Sequence, residues 1–182
     1  DYPYSKEKFL IEKASLGETA ACLQAFNFIF GWLENNYKDD VQEIKKRLVE
    51  IVVMLHRLVQ EYEIEDDSLY KRQNYLGDFF EINEITKLKV WCKNRIEYIT
   101  SSINNAREKK VSSLILKART YIDRSFGRDI TLEDVSREVS VSPHYFSKLF
   151  KSETGENFID YLTSVRISKA KEYLEGGKFS VK

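Results

Sequence analysis

The polar residues of one short segment have the types and the spacing of a surface that reads DNA. Four of them lie at i, i+3, i+4 and i+7 and therefore share one face of a helix: His144, Ser147, Lys148 and Lys151. Hydroxyl and imidazole groups can bond base edges, and lysines can meet guanine or phosphate. Phe146, Leu149 and Phe150 form the opposite, apolar stripe. An ordinary amphipathic helix with a solvated polar face shows the same pattern, so this face alone does not decide the function.

Two short helices joined by a tight turn are predicted to position this face. Thr131 and Asp134 form a capping-box pattern, with Asp in place of the usual Glu, which begins the first helix. After the turn, Ser142 is the predicted N-cap of the second helix, and Pro143 is its first residue, where a missing N–H has no consequence. The pattern predicts a helix-turn-helix over about 131–154.

A third helix, predicted over about 158–175 with Asn157 as its N-cap, carries two apolar sets. The first set is Phe158, Tyr161, Leu162 and Val165, and the second is Ile167, Ala170, Tyr173 and Leu174. Their centres lie roughly 140° apart around the helix axis. This switch predicts a helix that packs on one subdomain first and on another next. Ser180 is the predicted N-cap of a further helix, so we expect the protein to continue into a second unit.

Residues 112–182 resemble the DNA-binding region of the AraC/XylS family of bacterial transcription regulators. The matching positions keep their spacing over about 55 residues, at 118, 121–122, 130–135, 141–151, 153–155, 161–162, 166–167 and 169–170. Ser136 departs from the alanine that is usual in the first helix, a small change that we expect to affect packing little.

The resemblance implies a role for each residue of the candidate site. His144, Ser147 and Lys148 align with base-contacting positions, and Ser142 and Lys151 fall where phosphate contacts are expected. It also implies double-stranded promoter DNA as a partner, RNA polymerase as a partner of the whole protein, and a linker helix between paired helix-turn-helix units. A single unit makes few phosphate contacts, so we expect it to bind DNA weakly alone.

Residues 1–106 are predicted to form a helical bundle. Ser5 is a candidate N-cap for its first helix, and Asp40 for its clearest one. That helix has apolar residues in alternating steps of three and four: Val41, Ile44, Leu48, Ile51, Leu55, Leu58 and Tyr62. The stripe packs either inside its own domain or against a partner chain, and the breadth of the apolar face favours the first alternative.

The bundle looks similar to the helical segment that precedes the DNA-binding region in AraC-type regulators with an upstream sensor or receiver domain. The similarity implies a signal-coupling or dimerisation role, possible homodimers through these helices, and a regulator of the two-component type that activates transcription. The sequence begins at Asp1, and its one methionine is Met54, so we expect the chain to be a fragment of a longer protein.

A long helix is predicted to connect the two regions. After an acidic loop over 61–67 and a helix from Asp67 or Ser68 to about Phe80, a helical pattern runs from about Glu84 to Ser125 without proline or glycine. Its length would be roughly 60 Å at 1.5 Å per residue. The predicted fold is all-α, with an N-terminal bundle (1–106) joined by this helix to a helix-turn-helix unit (107–182).

The charge balance conceals an asymmetry between these regions. The 182 residues carry 29 Lys and Arg against 29 Asp and Glu, which suggests no affinity for nucleic acid. Residues 1–106 have 14 basic against 18 acidic side chains, a net −4, whereas residues 107–182 have 15 against 11, a net +4. The positive half is the one that carries the predicted helix-turn-helix.

Enzymatic activity is not predicted. The chain has two histidines, His56 and His144, and no phosphate loop, nucleophile elbow or supported carboxylate pair, so no catalytic residue, metal site or cofactor is expected. Cys22 and Cys92 are predicted to be buried small hydrophobes in a cytoplasmic protein without a membrane span. A helical interaction or dimerisation module without DNA binding is the alternative, and it gains if the bundle covers the polar face described above.

Overall fold

In the computed structural model, the described residues 1–38, 40–62, 64 and 75–176 form eight helices and no strand, which confirms the all-α prediction. The helices are α1 (Tyr4–Ser15), α2 (Thr19–Tyr37), α3 (Val41–Glu61), α4 (Tyr75–Glu81), α5 (Ile85–Ser125), α6 (Leu132–Glu138), α7 (Pro143–Thr154) and α8 (Phe158–Glu175). The chain divides into two compact units, Asp1–Glu108 and Lys109–Lys182. The functions assigned to the two regions stay predictions.

Helix α3 begins where the sequence predicts and buries its apolar stripe within the first unit. Asp40 Oδ1 accepts hydrogen bonds from the backbone N–H groups of Gln42 (3.0 Å) and Glu43 (3.2 Å). The stripe residues at 44, 48, 51, 55 and 58 are buried in one core with the apolar faces of α1, α2 and the first half of α5. The intramolecular alternative is therefore confirmed for this stripe.

Helix α1 begins differently from the prediction. Ser5 is not the N-cap, because the helix starts at Tyr4 and Pro3 occupies the cap position. The Pro3 carbonyl accepts from the N–H groups of Lys6 (2.9 Å) and Glu7 (3.2 Å), so the proline starts the first turn without a side-chain cap. Helix α4 ends at Glu81, close to the predicted end, while the predicted start at 67 or 68 lies outside the described residues.

Helix α5 is continuous over 41 residues, as the absence of proline and glycine predicts. In the first unit it buries Leu88, Cys92, Ile96, Ile99 and Ile103. In the second unit its buried residues are Ile115, Ala118 and Ile122, which pack with α6, α7 and α8. One helix therefore supplies part of the core of each unit.

A tight connection between α1 and α2 holds the last turns of α5 that belong to the first unit. We call residues 15–19 the α1–α2 corner. Gly17 adopts a left-handed conformation (φ +76°) and lies against the backbone of Asn104. Arg107 Nη1 donates to the Leu16 carbonyl oxygen (2.8 Å), and the hydroxyls of Thr19 and Thr100 share a hydrogen bond of 2.7 Å. The corner and α5 are thus joined at three successive turns of the helix.

The stability of the first unit is expected to fall as the pH drops below 7. Burial, and secondarily the charge of Arg95, lower the pKa of His56 in α3. The folded state therefore favours the neutral imidazole, and its contribution is present above the unfolded pKa of about 6.5 and is lost as the pH falls through that value and the lower folded one. Urea unfolding followed by the fluorescence of Trp32 and Trp91, both in this unit, measures the effect.

Two substitutions test the assignment to His56. His56→Gln should flatten the dependence of unfolding free energy on pH between 7.5 and 5.5. His144→Gln is the matched control, because His144 is exposed and lies in the other unit. An unchanged pH dependence in His56→Gln would show that other groups are responsible.

Candidate nucleic-acid interface

Helix α6 begins at a reciprocal cap that orients the start of the helix-turn-helix. The Thr131 N–H donates to Asp134 Oδ2 (3.0 Å), and the Asp134 N–H donates to Thr131 Oγ1 (3.2 Å). The capping box predicted from these two residues is therefore confirmed. The hydrogen bonds from Thr131 lower the pKa of the Asp134 carboxyl, so this cap is ionised at neutral pH.

The turn between α6 and α7 contains a conformation that the sequence does not signal. Ser140 has a positive φ of 57°, a region that residues other than glycine seldom adopt. The turn is closed by hydrogen bonds from the Ser140 N–H to the Arg137 carbonyl (3.1 Å) and from the Val141 N–H to the Ser136 carbonyl (3.0 Å). Ser136 itself is buried, and its hydroxyl donates to the Glu133 carbonyl (3.0 Å), so the hydroxyl is accommodated within α6.

The predicted start and end of α7 are confirmed. Ser142 Oγ accepts a hydrogen bond from the Tyr145 N–H (3.3 Å), Pro143 is the first helical residue, and Gly155 ends the helix with φ +83°. Phe146 and Phe150 are completely buried, with their ring centroids 5.2 Å apart. These two rings anchor the inner side of α7 and thereby determine which side faces outward.

The outer side of α7 carries all four residues of the predicted reading face. His144, Ser147, Lys148 and Lys151 are exposed, and Ser142 is exposed at the N-terminus of the helix. Among the residues that the structure describes, neither lysine has an ion-pair partner within 4.0 Å. Tyr145 is 49% exposed beside this face, a position that the sequence analysis did not single out. All five predicted residues are exposed, four of them on the outer side of α7 and Ser142 at its N-cap.

Helix α8 packs on this unit through its first apolar set only. Asn157 Oδ1 accepts from the Asp160 N–H (3.0 Å), which confirms the predicted N-cap. Phe158 and Leu162 are each 4% exposed, and Tyr161 and Val165 are half-buried. The second set is open to solvent, with exposures of 52% for Ile167, 45% for Tyr173 and 48% for Leu174.

Arg166 ties α8 to the connection between α5 and α6. Its Nε donates to the Phe126 carbonyl (2.9 Å), and its Nη2 donates to the Arg128 carbonyl (2.8 Å). Both carbonyls lie just beyond the end of α5, where the helix provides no N–H group to donate to them. The sequence offers no local signal for this contact, because the partners lie 40 and 38 positions away along the chain.

Residues 122–163 match the model of the bacterial regulatory helix-turn-helix proteins of the AraC family. This match covers the end of α5, the two helices of the motif and the first turns of α8. The second unit carries a helix-turn-helix that is similar to those of the AraC family. The chain therefore carries the DNA-binding motif of a transcription regulator, as its sequence predicts.

Curated relatives extend the similarity beyond the motif. The chain is 28% identical over 167 residues to the uncharacterized HTH-type transcriptional regulator YtdP of Bacillus subtilis, covering 88% of this chain and 20% of YtdP. It is 41% identical over 69 residues to the regulatory protein PocR of Salmonella typhimurium, covering 38% of this chain and 23% of PocR. No solved structure matches the chain.

The similarity to YtdP reaches into the first unit. Its 167 residues exceed the span Lys109–Lys182, so the matched region includes much of the α1–α5 bundle. The HTH-type transcriptional activator Btr of Bacillus subtilis is 30% identical over 78 residues, covering 43% of this chain and 14% of Btr. The chain thus spans a quarter or less of the length of these three relatives.

Both cysteines of the chain are buried. Burial raises the pKa of the Cys22 thiol to about 11 and that of Cys92 to about 12, so both are protonated at neutral pH. Within the described ranges, no three His, Cys, Asp or Glu side chains come together in a way that suits a metal ion. No helix in those ranges is both long and apolar enough to span a bilayer.

Proposed function

We propose that this chain binds promoter DNA sequence-specifically, with α7 in the major groove. The observation that carries the proposal is the exposed polar face of α7, which lies on an AraC-type helix-turn-helix. In this role His144, Ser147 and Lys148 read base edges, and Lys151 neutralises a phosphate.

Ser142 has a geometry that suits a phosphate contact. Its Oγ accepts the Tyr145 N–H, which leaves the hydroxyl proton available as a donor to an anionic oxygen. It also stands at the N-terminus of α7, where the helix dipole and unpaired N–H groups favour negative charge. A phosphate at this end would align the helix with the groove and leave its central residues over the bases.

The second apolar set of α8 supports a linker role for this helix. Ile167, Tyr173 and Leu174 are about half exposed, whereas the first apolar set of the same helix is packed. We propose that a second helix-turn-helix unit of the whole protein covers them and contributes further phosphate contacts. Because affinity depends steeply on the number of such contacts, the single unit described here should bind weakly.

The first unit is proposed to transmit a signal or to dimerise. Its α3 stripe is buried within the unit, so a homodimer through these helices would use a different face. For the whole protein we propose a cytoplasmic regulator of transcription without enzymatic activity. An upstream sensor or receiver domain would control it, and it would act as an activator that contacts RNA polymerase.

Two lysine substitutions are expected to weaken DNA binding in different ways. Lys148→Ala should weaken binding to the preferred site by about 1–3 kcal/mol and relax base preference at one position, because a base contact is lost. Lys151→Ala should weaken binding to all duplexes alike and reduce the salt slope by about one, because a phosphate contact is lost. Selection of a preferred site from random duplexes, followed by titrations at several salt concentrations, measures both effects.

Lys171→Ala is the matched control, since Lys171 is also an exposed lysine of the second unit but lies in α8. It should leave the base preference unchanged. Unchanged affinity in both Lys148→Ala and Lys151→Ala would refute the assignment of the α7 face and favour an interaction module that does not bind DNA.

A further inference from the structure

Tyr145 is an exposed aromatic residue in the first turn of α7, and the core of the second unit does not include it. Its side chain is 49% exposed. Within the described ranges, its hydroxyl makes no hydrogen bond and its ring contacts no other ring or cation. We propose that the Tyr145 hydroxyl donates a hydrogen bond to a phosphate oxygen of the bound DNA. This inference deepens the proposed function and rests on it.

A second tyrosine of the same unit shows what a packed tyrosine looks like here. The Tyr161 ring centroid lies 5.2 Å from that of Phe150, and the Arg119 guanidinium lies 5.6 Å from the Tyr161 ring. Tyr145 has neither kind of contact. Exposure alone does not decide its role, because single exposed aromatic residues are common on protein surfaces. Its position on α7 does.

Tyr145 lies on the flank of α7. At 100° per residue it is about 110° around the helix axis from the centre of the reading face, between that face and the buried rings of Phe146 and Phe150. The major groove is about 12 Å wide, and an α-helix with its side chains is about 10–12 Å across, so a docked helix fills the groove from wall to wall. Side chains of the reading face then meet base edges, whereas a flanking side chain meets a wall, which is a sugar–phosphate chain.

The chemistry of the side chain and of its neighbours suits a phosphate. A phenol O–H is a donor, and tyrosine is among the side chains that bond phosphate oxygens in protein–DNA complexes. Lys148 follows three residues later, about 60° around the axis from Tyr145, and adds a cation next to this flank. The one carboxylate of α7, Glu153, lies about 170° from the centre of the reading face. Helix α7 therefore presents a donor and a cation on the Tyr145 side of that face.

The backbone of Tyr145 is fixed before any DNA binds. Its N–H donates to Ser142 Oγ (3.3 Å), and the next residue, Phe146, is completely buried. A tyrosine on a fixed backbone has only two side-chain torsions to order, so its contact costs little conformational entropy. Ser142, which we propose as a phosphate contact, belongs to the same turn, so both hydroxyls would bond the same strand of the duplex.

Tyr145→Phe tests the contact, because it removes the hydroxyl and keeps the ring. The complete chain is titrated at several salt concentrations with two duplexes, one that carries the selected site and one of random sequence. The affinity for both duplexes should fall by the same factor, about tenfold, because a hydrogen bond to a charged group is lost. The slope of log affinity against log salt should not change, since a neutral donor releases no counterion. This unchanged slope distinguishes Tyr145→Phe from Lys151→Ala.

Chemically modified duplexes locate the contact. In a series that carries the selected site, one phosphate at a time is replaced by an uncharged methylphosphonate. At one position the replacement should weaken binding of the parent chain about tenfold more than binding of Tyr145→Phe, because the variant has already lost that contact. Tyr4→Phe is the matched control, since Tyr4 is a 64% exposed tyrosine of the first unit, and it should leave every titration unchanged.

Equal affinities of Tyr145→Phe and the parent chain, with Lys151→Ala still weakened, would overturn the role of Tyr145 and leave the proposed function standing. A changed base preference in Tyr145→Phe would overturn it in favour of a base contact. Faster hydrogen exchange of the α7 amides in this variant would overturn it in favour of a structural role. If the parent chain binds neither duplex, the proposed function fails and this inference fails with it.

Discussion

Replacing Phe150 by alanine is expected to lower the unfolding free energy of the second unit by about 3–5 kcal/mol and to abolish specific DNA binding. Phe150 is completely buried, and its ring lies 5.2 Å from the rings of both Phe146 and Tyr161. It therefore joins the inner side of α7 to α8, and its loss opens a cavity that these rigid elements cannot fill. A unit of this size has little stability in reserve.

Hydrogen exchange measured by mass spectrometry separates this effect from any change in the first unit. Amides of α6 and α7 should lose protection from exchange. Urea unfolding of the first unit, followed by the fluorescence of Trp32 and Trp91, should keep its midpoint. Ile159→Ala is the matched control, because it truncates an apolar residue of α8 that is 61% exposed. It should change stability by no more than about 0.5 kcal/mol. Retained protection of α7 in Phe150→Ala would contradict the proposed anchoring.

Four helix starts, one in the first unit and three in the second, can be predicted from the sequence because each depends on residues that are close along the chain. The caps at Asp40, Thr131, Ser142 and Asn157 all bond a backbone N–H two or three residues ahead, so the amino-acid type and its spacing are sufficient signals. The inner and outer sides of α7 follow from helical periodicity for the same reason.

Contacts between distant residues are not predictable in this way. Arg166 donates hydrogen bonds to the carbonyls of Phe126 and Arg128, which lie 40 and 38 positions away along the chain. Arg107 donates to the carbonyl of Leu16, which lies 91 positions away. The N-cap predicted at Ser5 is also wrong, because Pro3 occupies the N-cap position and the helix already starts at Tyr4. The cavity of about 430 Å³ beside Trp91 depends on how the end of α4 meets α5, and a tryptophan at helical spacing does not reveal whether the space around it is filled.

Gly17 shows that a contact with a residue distant in sequence can limit which amino acid a position tolerates. Replacing it by alanine is expected to destabilise the first unit by about 2–5 kcal/mol. A left-handed backbone opposes any side chain by about 1–2 kcal/mol. The added Cβ would also lie 3.0 Å from Asn104 Cβ and 3.2 Å from the Asn104 backbone in α5, where crowding adds about 1–3 kcal/mol. Urea unfolding followed by tryptophan fluorescence measures the total.

Two further substitutions at glycine positions separate the cost of the left-handed backbone from the cost of crowding against α5. Gly31→Ala is the control, because its Cβ would meet nothing within 4 Å in the interior of α2, and it should stabilise the unit by about 0.5–1 kcal/mol. Gly17→Asn adds the same Cβ but tolerates the left-handed backbone better than alanine. If Gly17→Asn is as destabilising as Gly17→Ala, the close approach to α5 dominates, and amides near Asn104 should exchange faster in both. A Gly17→Ala chain as stable as the parent would mean that the α1–α2 corner does not hold α5.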